Sequence, residues 1–488
     1  MHRNLLDSIT WENFLTLVYI VDIIIALTII FLERKNPSST LAWIMVLFFL
    51  PGIGILFYFL FSQNIARRRI FRLSKREREV MQETLLEQIR NVRHDRFAYS
   101  NSIEPKWKEL ILLNQNYARA ILRQGNRISI MTDGGHMLDA LVRDISEAKS
   151  SVDVEYFIVK NDATGRKLID VLTQKAREGV QVRLLLDAMG SRQLTYDTLA
   201  AYVKAGGKYA FFFPAKIRFF NLMFNYRNHR KIVVIDGAVG YLGGFNIGNE
   251  YLGRNKKFGN WRDTHIRIEG DGIHDLSMRF ALDWRFAAKE KIPLEIIYEQ
   301  AEEPTGISAM QIVSCGPDSH REEVKHAYLK MITEANKNIY IQTPYFIPDS
   351  SIYDSLINAA LSGVDVRIMI PSIPDHIFVY WATYYYCGQL IRSGVKVYIY
   401  DNGFLHAKTM VVDGEVCSVG SANFDIRSFR LNFETNAFIY DETEANKLES
   451  LYMQDMEDCH ELTRALYAKR SYWIRFKEGI AKLISDLL

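Results

Sequence analysis

A chain of 488 residues has room for two or three domains and a large core. Apolar residues make up 48% of it and charged residues 24%, with a net charge of +3, which excludes a disordered chain and a globally basic, nucleic-acid-binding balance. Its four cysteines, Cys315, Cys387, Cys417 and Cys459, lie far apart with no C-x-x-C pair, so they read as small buried hydrophobes in a reducing, cytoplasmic setting rather than as a disulfide or zinc framework.

The N-terminus is apolar. Phe14 to Leu32 and Leu41 to Phe61 are each about long enough to span the hydrocarbon of a bilayer, with ERKNPSST between them. Glu33-Arg34-Lys35 follows the first run where a cleaved signal peptide would need small residues. The basic run ARRRIFRLSKRER after the second run should stay in the cytoplasm. Residues 1–66 are therefore expected to form a transmembrane helical hairpin with both ends cytoplasmic, which places the protein in the cell membrane with its main body on the cytoplasmic side. Asp22, at mid-helix, costs about 2.5–3.5 kcal/mol on insertion scales. It should face a partner helix, or else the hairpin dips into the bilayer without crossing it. Residues 67–122 read as a basic helical connector.

From about residue 125 onward, β-branched runs alternate with amphipathic helical stretches, the pattern of an α/β domain. MLDALVRDISEAKSS is a helix, VDVEYFIV a buried strand, GRKLIDVLTQKAREGV a helix and QVRLLLD a strand. The same order returns over residues 322–371 in EEVKHAYLKMITEANKN, IYIQTPYFIP, SIYDSLINAALSGV and DVRIMIP. This is the duplication of a whole domain, not a short-period repeat. A cut near residues 295–308 separates 123–300 from 301–468 and leaves 469–488 as a C-terminal amphipathic helix. The fold class is α/β: two copies of a mixed β-sheet flanked by helices, related by a pseudo-twofold axis.

Each copy carries one conspicuous motif. NHRKIVVIDG (228–237) and HAKTMVVDG (406–414) repeat a His, a Lys two residues on and an Asp-Gly pair five residues after that. The alternation marks a strand and Asp-Gly a hairpin turn. Residues two apart on a strand share a face, so His229 stands beside Lys231, and His406 beside Lys408. If the two copies close on the pseudo-twofold, two imidazoles and two ammoniums surround one phosphodiester. One histidine can attack phosphorus and form a phosphohistidine, while the other protonates the leaving alkoxide and then deprotonates an acceptor. The lysines neutralise the phosphoryl oxygens, so neither metal nor cofactor is expected. The tails GGFN (243–246) and GSAN (420–423) add glycines for close approach and the amides of Asn246 and Asn423 as donors. About thirty residues beyond each histidine come Asp263 and Glu434, which can orient an imidazole as the third member of a triad does. Asp236 and Asp413 complete the motif as catalytic candidates, with capping of the hairpin turn as their competing role.

H-x-K-x4-D followed by G-[GS]-x-N, present twice, resembles the signature of the phospholipase D superfamily. The stretches RNHRKIVVIDGAVGYLGGFNIGNEYLG, FGNWRDTHIRIEG and FLHAKTMVVDGEVCSVGSANFDIRSFRLNFE, with NPSSTLAWIMVLFFLPGIGILFYFLF, resemble the bacterial cardiolipin synthases over essentially the whole chain. The resemblance implies transfer of a phosphatidyl group from one phosphatidylglycerol to another, giving cardiolipin and glycerol. It implies that His229 and His406 are nucleophile and acid–base, and that Lys231 and Lys408 bind phosphate with Asn246, Ser421 and Asn423. Gly244 stands where the second copy has Ser421. A phospholipase D or a phosphatidylserine synthase would differ only in the acceptor, which the motif does not encode. A nuclease fits the apolar N-terminus poorly, and a catalytically dead scaffold has no reason to keep two matched His-Lys pairs. The implied partners are these lipids and a bilayer, without nucleic acid, and a homo-oligomer is compatible with the sequence.

Three aromatic stretches remain. FFFPAKIRFFNLMFNYR, with Lys216, Arg218 and Arg227, reads as a core strand and loop or as a lip that draws lipid from a bilayer. HIFVYWATYYYCGQLI, similarly aromatic, reads as a core helix or as a second such lip. YWIRFKEGIAKLISDLL places Trp473, Phe476, Ile480, Leu483, Ile484 and Leu487 on one stripe, to lie on a membrane or to pack on the body.

Overall fold

The computed structural model describes residues 11–32, 37–61, 70–71, 73–214, 223, 225–293, 304–483 and 485. It divides into two units, Met1–Arg68 and Arg69–Leu488. Lys216 and Arg218 of the expected lip, most of the boundary region 295–308, and Ile484 and Leu487 of the C-terminal stripe lie outside the described residues.

The N-terminal unit holds helices α1 (Trp11–Leu32), α2 (Pro37–Phe49) and α3 (Ile53–Phe61). The second apolar run, expected as one spanning helix, is broken at Leu50-Pro51-Gly52. Pro51 has no N–H to donate and crowds the preceding turn, and Gly52 takes φ +78. The Gly52 N–H freed by the break donates to Asp22 Oδ2 of α1 at 3.2 Å. Asp22 is only 5% exposed, so the mid-helix carboxylate faces a partner and caps its kink. Around this polar contact the unit is apolar and exposed: Leu17, Ile20, Ile24 and Leu27 of α1, and Met45, Phe48 and Phe49 of α2, all face outward. Among the described residues no helix is by itself long and apolar enough to cross a membrane.

The second unit is built on one sheet of 16 strands. Its first half contributes β1 (Arg123–Met131), β2 (Ser151–Tyr156), β3 (Gln181–Asp187), β4 (Lys208–Phe212), β5 (Arg227–Asn228), β6 (Lys231–Ile235), β7 (Val239–Gly243) and β9 (His265–Glu269), with β8 (Trp261–Arg262) apart from it. The second half contributes β10 (Ser308–Cys315), β11 (Asn338–Gln342), β13 (Asp365–Pro371), β14 (Lys396–Tyr400), β16 (Thr409–Val412), β17 (Val416–Gly420), β19 (Asn432–Tyr440) and β20 (Cys459–Glu461). The short β12 (Phe346–Ile347), β15 (Phe404–Leu405) and β18 (Phe424–Asp425) pair outside it.

From the centre outward the order is β1-β9-β7-β6-β2-β3-β4 on one side and β10-β19-β17-β16-β11-β13-β14-β20 on the other. The two halves meet where β1 runs antiparallel to β10, and each has three parallel strands away from that seam. The duplication read from sequence is thus a pseudo-twofold in the sheet. Helices cover both faces. Leu138, Leu141 and Leu172 pack on one face of the first half, and Tyr328, Met331 and Leu356 on that of the second. Leu276 and Leu448 lie under the opposite face with Val234 and Val411. Each such burial stabilises by roughly 1.5–3 kcal/mol.

Two peripheral helices complete the body. Lys75–Arg93, in the stretch expected as a connector, begins with a Ser74–Glu77 capping box, and Glu77 pairs with Arg285 at 2.7 Å. The C-terminal helix Tyr472–Leu483 lies beside Ile377–Leu390, with Ala481 buried against Ala382 and Lys477 over the Trp381 ring. Its contact face is Ile474, Glu478 and Ala481, whereas Tyr472, Trp473, Phe476, Ile480 and Leu483 are exposed. The helix packs on the body and turns its apolar stripe away from it.

Candidate active site

The two motif histidines leave short strands that pair across the halves. β5 runs parallel to the start of β19, and the His229 N–H donates to Phe433 O at 2.9 Å. β15 runs parallel to β8, and the His406 N–H donates to Arg262 O at 2.7 Å. Each histidine is thereby set next to the carboxylate of the other half. His229 Nδ1 lies 3.0 Å from both oxygens of Glu434, 205 positions away. His406 Nδ1 lies 2.6 Å from Asp263 Oδ2, 143 positions away. Each carboxylate thus contacts the imidazole of the opposite half. With each Nδ1–H donated to a carboxylate, Nε2 keeps its lone pair.

The lysines turn back on the same loops. Lys231 Nζ donates to His229 O at 2.6 Å, and Lys408 Nζ to His406 O. Phe157 lies edge-on to the His229 ring at 4.8 Å and Trp261 beside His406 at 5.1 Å, so both imidazoles have an aromatic wall. Burial holds His229 and His406 down at about 4, with Lys231 and Lys408 among the groups that depress them. Burial likewise lowers Lys231 to about 7 and Lys408 to about 8. The charge of each lysine also reaches the histidine of the opposite half, so the two pairs share one electrostatic site. Burial pushes Glu434 and Asp263 up, but the neighbouring histidines and lysines outweigh it and leave both carboxyls below their usual range.

The tails differ in a way the sequence only hinted at. A Cβ on Gly244 would stand 2.0 Å from Asp263 Oδ1, because the short aspartate keeps its carboxylate close to its own strand. Glu434 is one methylene longer, and the equivalent Ser421 fits beside it, donating from Oγ to Glu434 Oε2 at 2.6 Å. Ser421, expected on phosphate, donates its hydroxyl to that carboxylate. Asn246 and Asn423 are buried. Asn246 Oδ1 accepts from the Ile158 N–H at 3.2 Å, while Asn423 Nδ2 stands 3.4 Å from Asp425.

Asp236 and Asp413, proposed from the motif as catalytic, sit at the far ends of β6 and β16. At about 3.4 Å per residue, Asp236 is roughly 17 Å along the strand from Lys231. Asp236 and Asp413 take φ of 53° and 57°, followed by Gly237 and Gly414 at 68° each. The Asp236 carboxylate accepts from the backbone of Lys149, Ser150 and Ser151 at 2.7–2.8 Å. That of Asp413 accepts from Asn336, Lys337 and Asn338 at 2.7–3.0 Å. Both tie the hairpin turn to the chain entering the neighbouring strand, and neither belongs to the reacting cluster.

Sequence reasoning passed over Arg230, the residue between His229 and Lys231. It is buried, paired with Asp283 at 2.8 Å, and donates to Thr435 Oγ1 at 3.0 Å and Glu434 O at 3.3 Å. It therefore braces the strand that carries Glu434. Arg262 has the matching task beside Asp263, paired with Asp455 at 2.7 Å and bonded to Thr264 Oγ1 at 3.0 Å. An arginine next to each key residue was visible, but not its buried partner.

Residues 141–260 and 328–456 match the family described as "Cardiolipin synthase, PLD-like domain", one segment in each half. The chain is 48% identical to the cardiolipin synthase of Oceanobacillus iheyensis over 474 residues, covering 97% of this chain and 98% of that protein. The protein belongs to the PLD-like cardiolipin synthase family. Within that family it is also 47% identical to the major cardiolipin synthase ClsA of Bacillus subtilis, over 97% of this chain and 98% of the relative. Residues 20–63 match the "Phospholipase D-nuclease N-terminal" family, which with the exposed apolar surface of α1 and α2 marks a membrane-associated protein. The fold resembles the crystal structure of phosphatidylserine synthase from Haemophilus influenzae, at a TM-score of 0.61 and 15% identity, covering 78% of this chain and 100% of that one.

Proposed function

We propose that the protein makes cardiolipin by transferring the phosphatidyl group of one phosphatidylglycerol to the glycerol hydroxyl of a second, through a phosphohistidine. The observation that carries this reading is the crossed pair of His-carboxylate contacts with a buried lysine beside each histidine. One Nε2 attacks phosphorus, forming a P–N bond as the P–O bond to glycerol breaks, and the other imidazole protonates the departing alkoxide. The free site balances two carboxylates against two lysines around neutral imidazoles. An entering phosphodiester adds one negative charge and so favours a proton on the histidine that must act as acid. In this reading Lys231 and Lys408 neutralise the phosphoryl oxygens, and Asn246 and Asn423 supply neutral donors.

The 123–300 and 301–468 segments are the two copies that enclose this site. The N-terminal hairpin holds them at the cell membrane with the active site on the cytoplasmic side, α1 forming one arm and α2 with α3 the other. The outward stripe of Tyr472, Trp473, Phe476 and Leu483, flanked by Arg475 and Lys482, suits an anionic bilayer surface. A cysteine placed within residues 33–36 reports the arrangement: labelling by an impermeant reagent from outside the cell supports two crossings, and labelling from the cytoplasmic face alone shows a hairpin that turns back.

The deciding assay gives full-length protein phosphatidylglycerol in mixed vesicles and follows lipids and free glycerol together. Cardiolipin and glycerol should appear in equal amounts. Phosphatidic acid with glycerol and no cardiolipin would make water the acceptor and refute the reading.

A further inference from the structure

Beside the duplicated reacting groups, the two ends of the site differ in their arginines. Arg227 is on β5, two residues before His229, and strand alternation puts it on the face of His229 and Lys231. Arg427 follows the GSAN tail of the other half, and its guanidinium donates to Asn225 Oδ1 at 3.1 Å and Asn225 O at 2.8 Å, just before Arg227. The two cations therefore converge beside the His229–Glu434 pair.

Neither has a carboxylate within ion-pair distance among the described residues, although Arg183, Arg230, Arg262 and Arg430 all do. The neighbouring carboxylates are otherwise engaged. Asp187 accepts the amides of Met189, Gly190 and Asn228 at 2.9–3.0 Å, and Asp425 accepts that of Ser428 at 2.5 Å. The adjoining segment 215–224, AKIRFFNLMF, contains no acidic residue. Two partly buried guanidiniums side by side are costly without an anion. Burial lowers both arginines, and the charge of Arg227 lowers Arg427 further.

The other end of the site is different. RNHRK aligns with FLHAK, and GGFNIGNEY with GSANFDIRS, so the pseudo-twofold exchanges Arg227 with Phe404 and Arg427 with Glu250. Phe404 is buried against Trp261 and Phe258, and Glu250 is already paired with Lys160 at 2.6 Å. Chemistry common to both steps is duplicated, whereas the cation pair is not. The two halves of the proposed reaction differ in charge: the group that leaves is neutral glycerol, and the lipid that enters carries a second phosphate.

We propose that Arg227 and Arg427 form a second anion site that binds the phosphodiester of the acceptor lipid, which makes the enzyme a lipid-to-lipid transferase rather than a hydrolase. The inference rests on the transesterase reading above. With that phosphate held on two guanidinium forks, the acceptor hydroxyl reaches the phosphohistidine. The new P–O bond forms as the P–N bond breaks, and the hydroxyl proton passes to Nε2 of the second imidazole.

The test compares two acceptors that share the first chemical step. Full-length protein in phosphatidylglycerol vesicles is assayed for cardiolipin formation and for exchange of labelled glycerol into phosphatidylglycerol, which needs no second phosphate. In Arg227→Gln and Arg427→Gln, cardiolipin formation should fall at least ten-fold further than glycerol exchange, with the balance moving toward phosphatidic acid. Arg427→Lys, which keeps the charge but not the planar fork, should fall between. Parallel loss of both activities would assign the arginines to the donor or to the fold, and no loss in either would remove them from the site. Both results overturn the inference. Glycerol 3-phosphate distinguishes the source of the anion: transfer to it in preference to the lipid would overturn the lipid-borne assignment. Unmodified protein that exchanges glycerol yet makes no cardiolipin would refute the function itself, and the inference with it.

Discussion

At the His229 end of the site the imidazole is held by a glutamate whose second oxygen takes a serine hydroxyl, and at the His406 end by an aspartate with bare glycine beside it. The chemistry delivered is the same: an oriented Nδ1–H and a free Nε2. A carboxylate one methylene shorter sits closer to its strand, and the residue opposite gives up its side chain to accommodate it. Duplicated sites can thus drift in residue identity while geometry is conserved, provided that contacting positions change together.

The comparison can be broken most severely at the histidines. His229→Ala or His406→Ala should each reduce turnover by on the order of 10³-fold or more, and the double variant should be scarcely worse than either, because the two act as one unit. Steady-state cardiolipin formation checks both points. The carboxylate end gives the next largest effect. Gly244→Ser puts a side chain into the Asp263 carboxylate, so activity should drop about 100-fold and stability by roughly 1–3 kcal/mol. Ser421→Gly removes one hydrogen bond and should cost less than about ten-fold, since the expected penalty is near 1 kcal/mol. Equal effects would mean that the two ends are not matched as described.

Acid stability sharpens what the ends share. His229 and His406 sit near 4 in the folded protein against an ordinary 6.5, so below pH 6.5 the unfolded chain binds more protons than the folded one. Stability should therefore fall as pH drops from 6.5 toward 4, by up to about 1.4 kcal/mol per pH unit for each histidine. Replacing both histidines by Gln should flatten a chemical-denaturation series in that window. The smallest effect on turnover is expected at the motif aspartates. Asp236→Asn and Asp413→Asn should lower stability by about 1–2 kcal/mol through lost turn bonds, with turnover of the folded protein nearly unaltered.

Much of this was legible in sequence, for identifiable reasons. Strand periodicity and the Asp-Gly pairs located β6 and β16, and the repeated order of elements revealed the pseudo-twofold. Asp263 and Glu434 could be picked out as orienting carboxylates, but not which histidine each would hold. The exchange depends on β5 crossing to β19 and β15 to β8, pairings between segments more than 140 positions apart. Ser421 looked like a phosphate ligand because its role depends on the reach of Glu434, which a linear motif does not record. The break in the second apolar run was written in Pro51-Gly52 but was outweighed by the hydropathy around it. Arg227 stood out in sequence only as one cation of an aromatic stretch and Arg427 not at all, because what brings them together is the contact of Arg427 with Asn225 across the halves.

The exchanged carboxylates have a consequence for how the enzyme fails. A loosened β1–β10 seam would separate His229 from Glu434 and His406 from Asp263 in one motion, so no half-assembled state retains a working nucleophile. Heat inactivation should then be a single event although the architecture contains two copies, because a frayed enzyme loses both histidine–carboxylate contacts together.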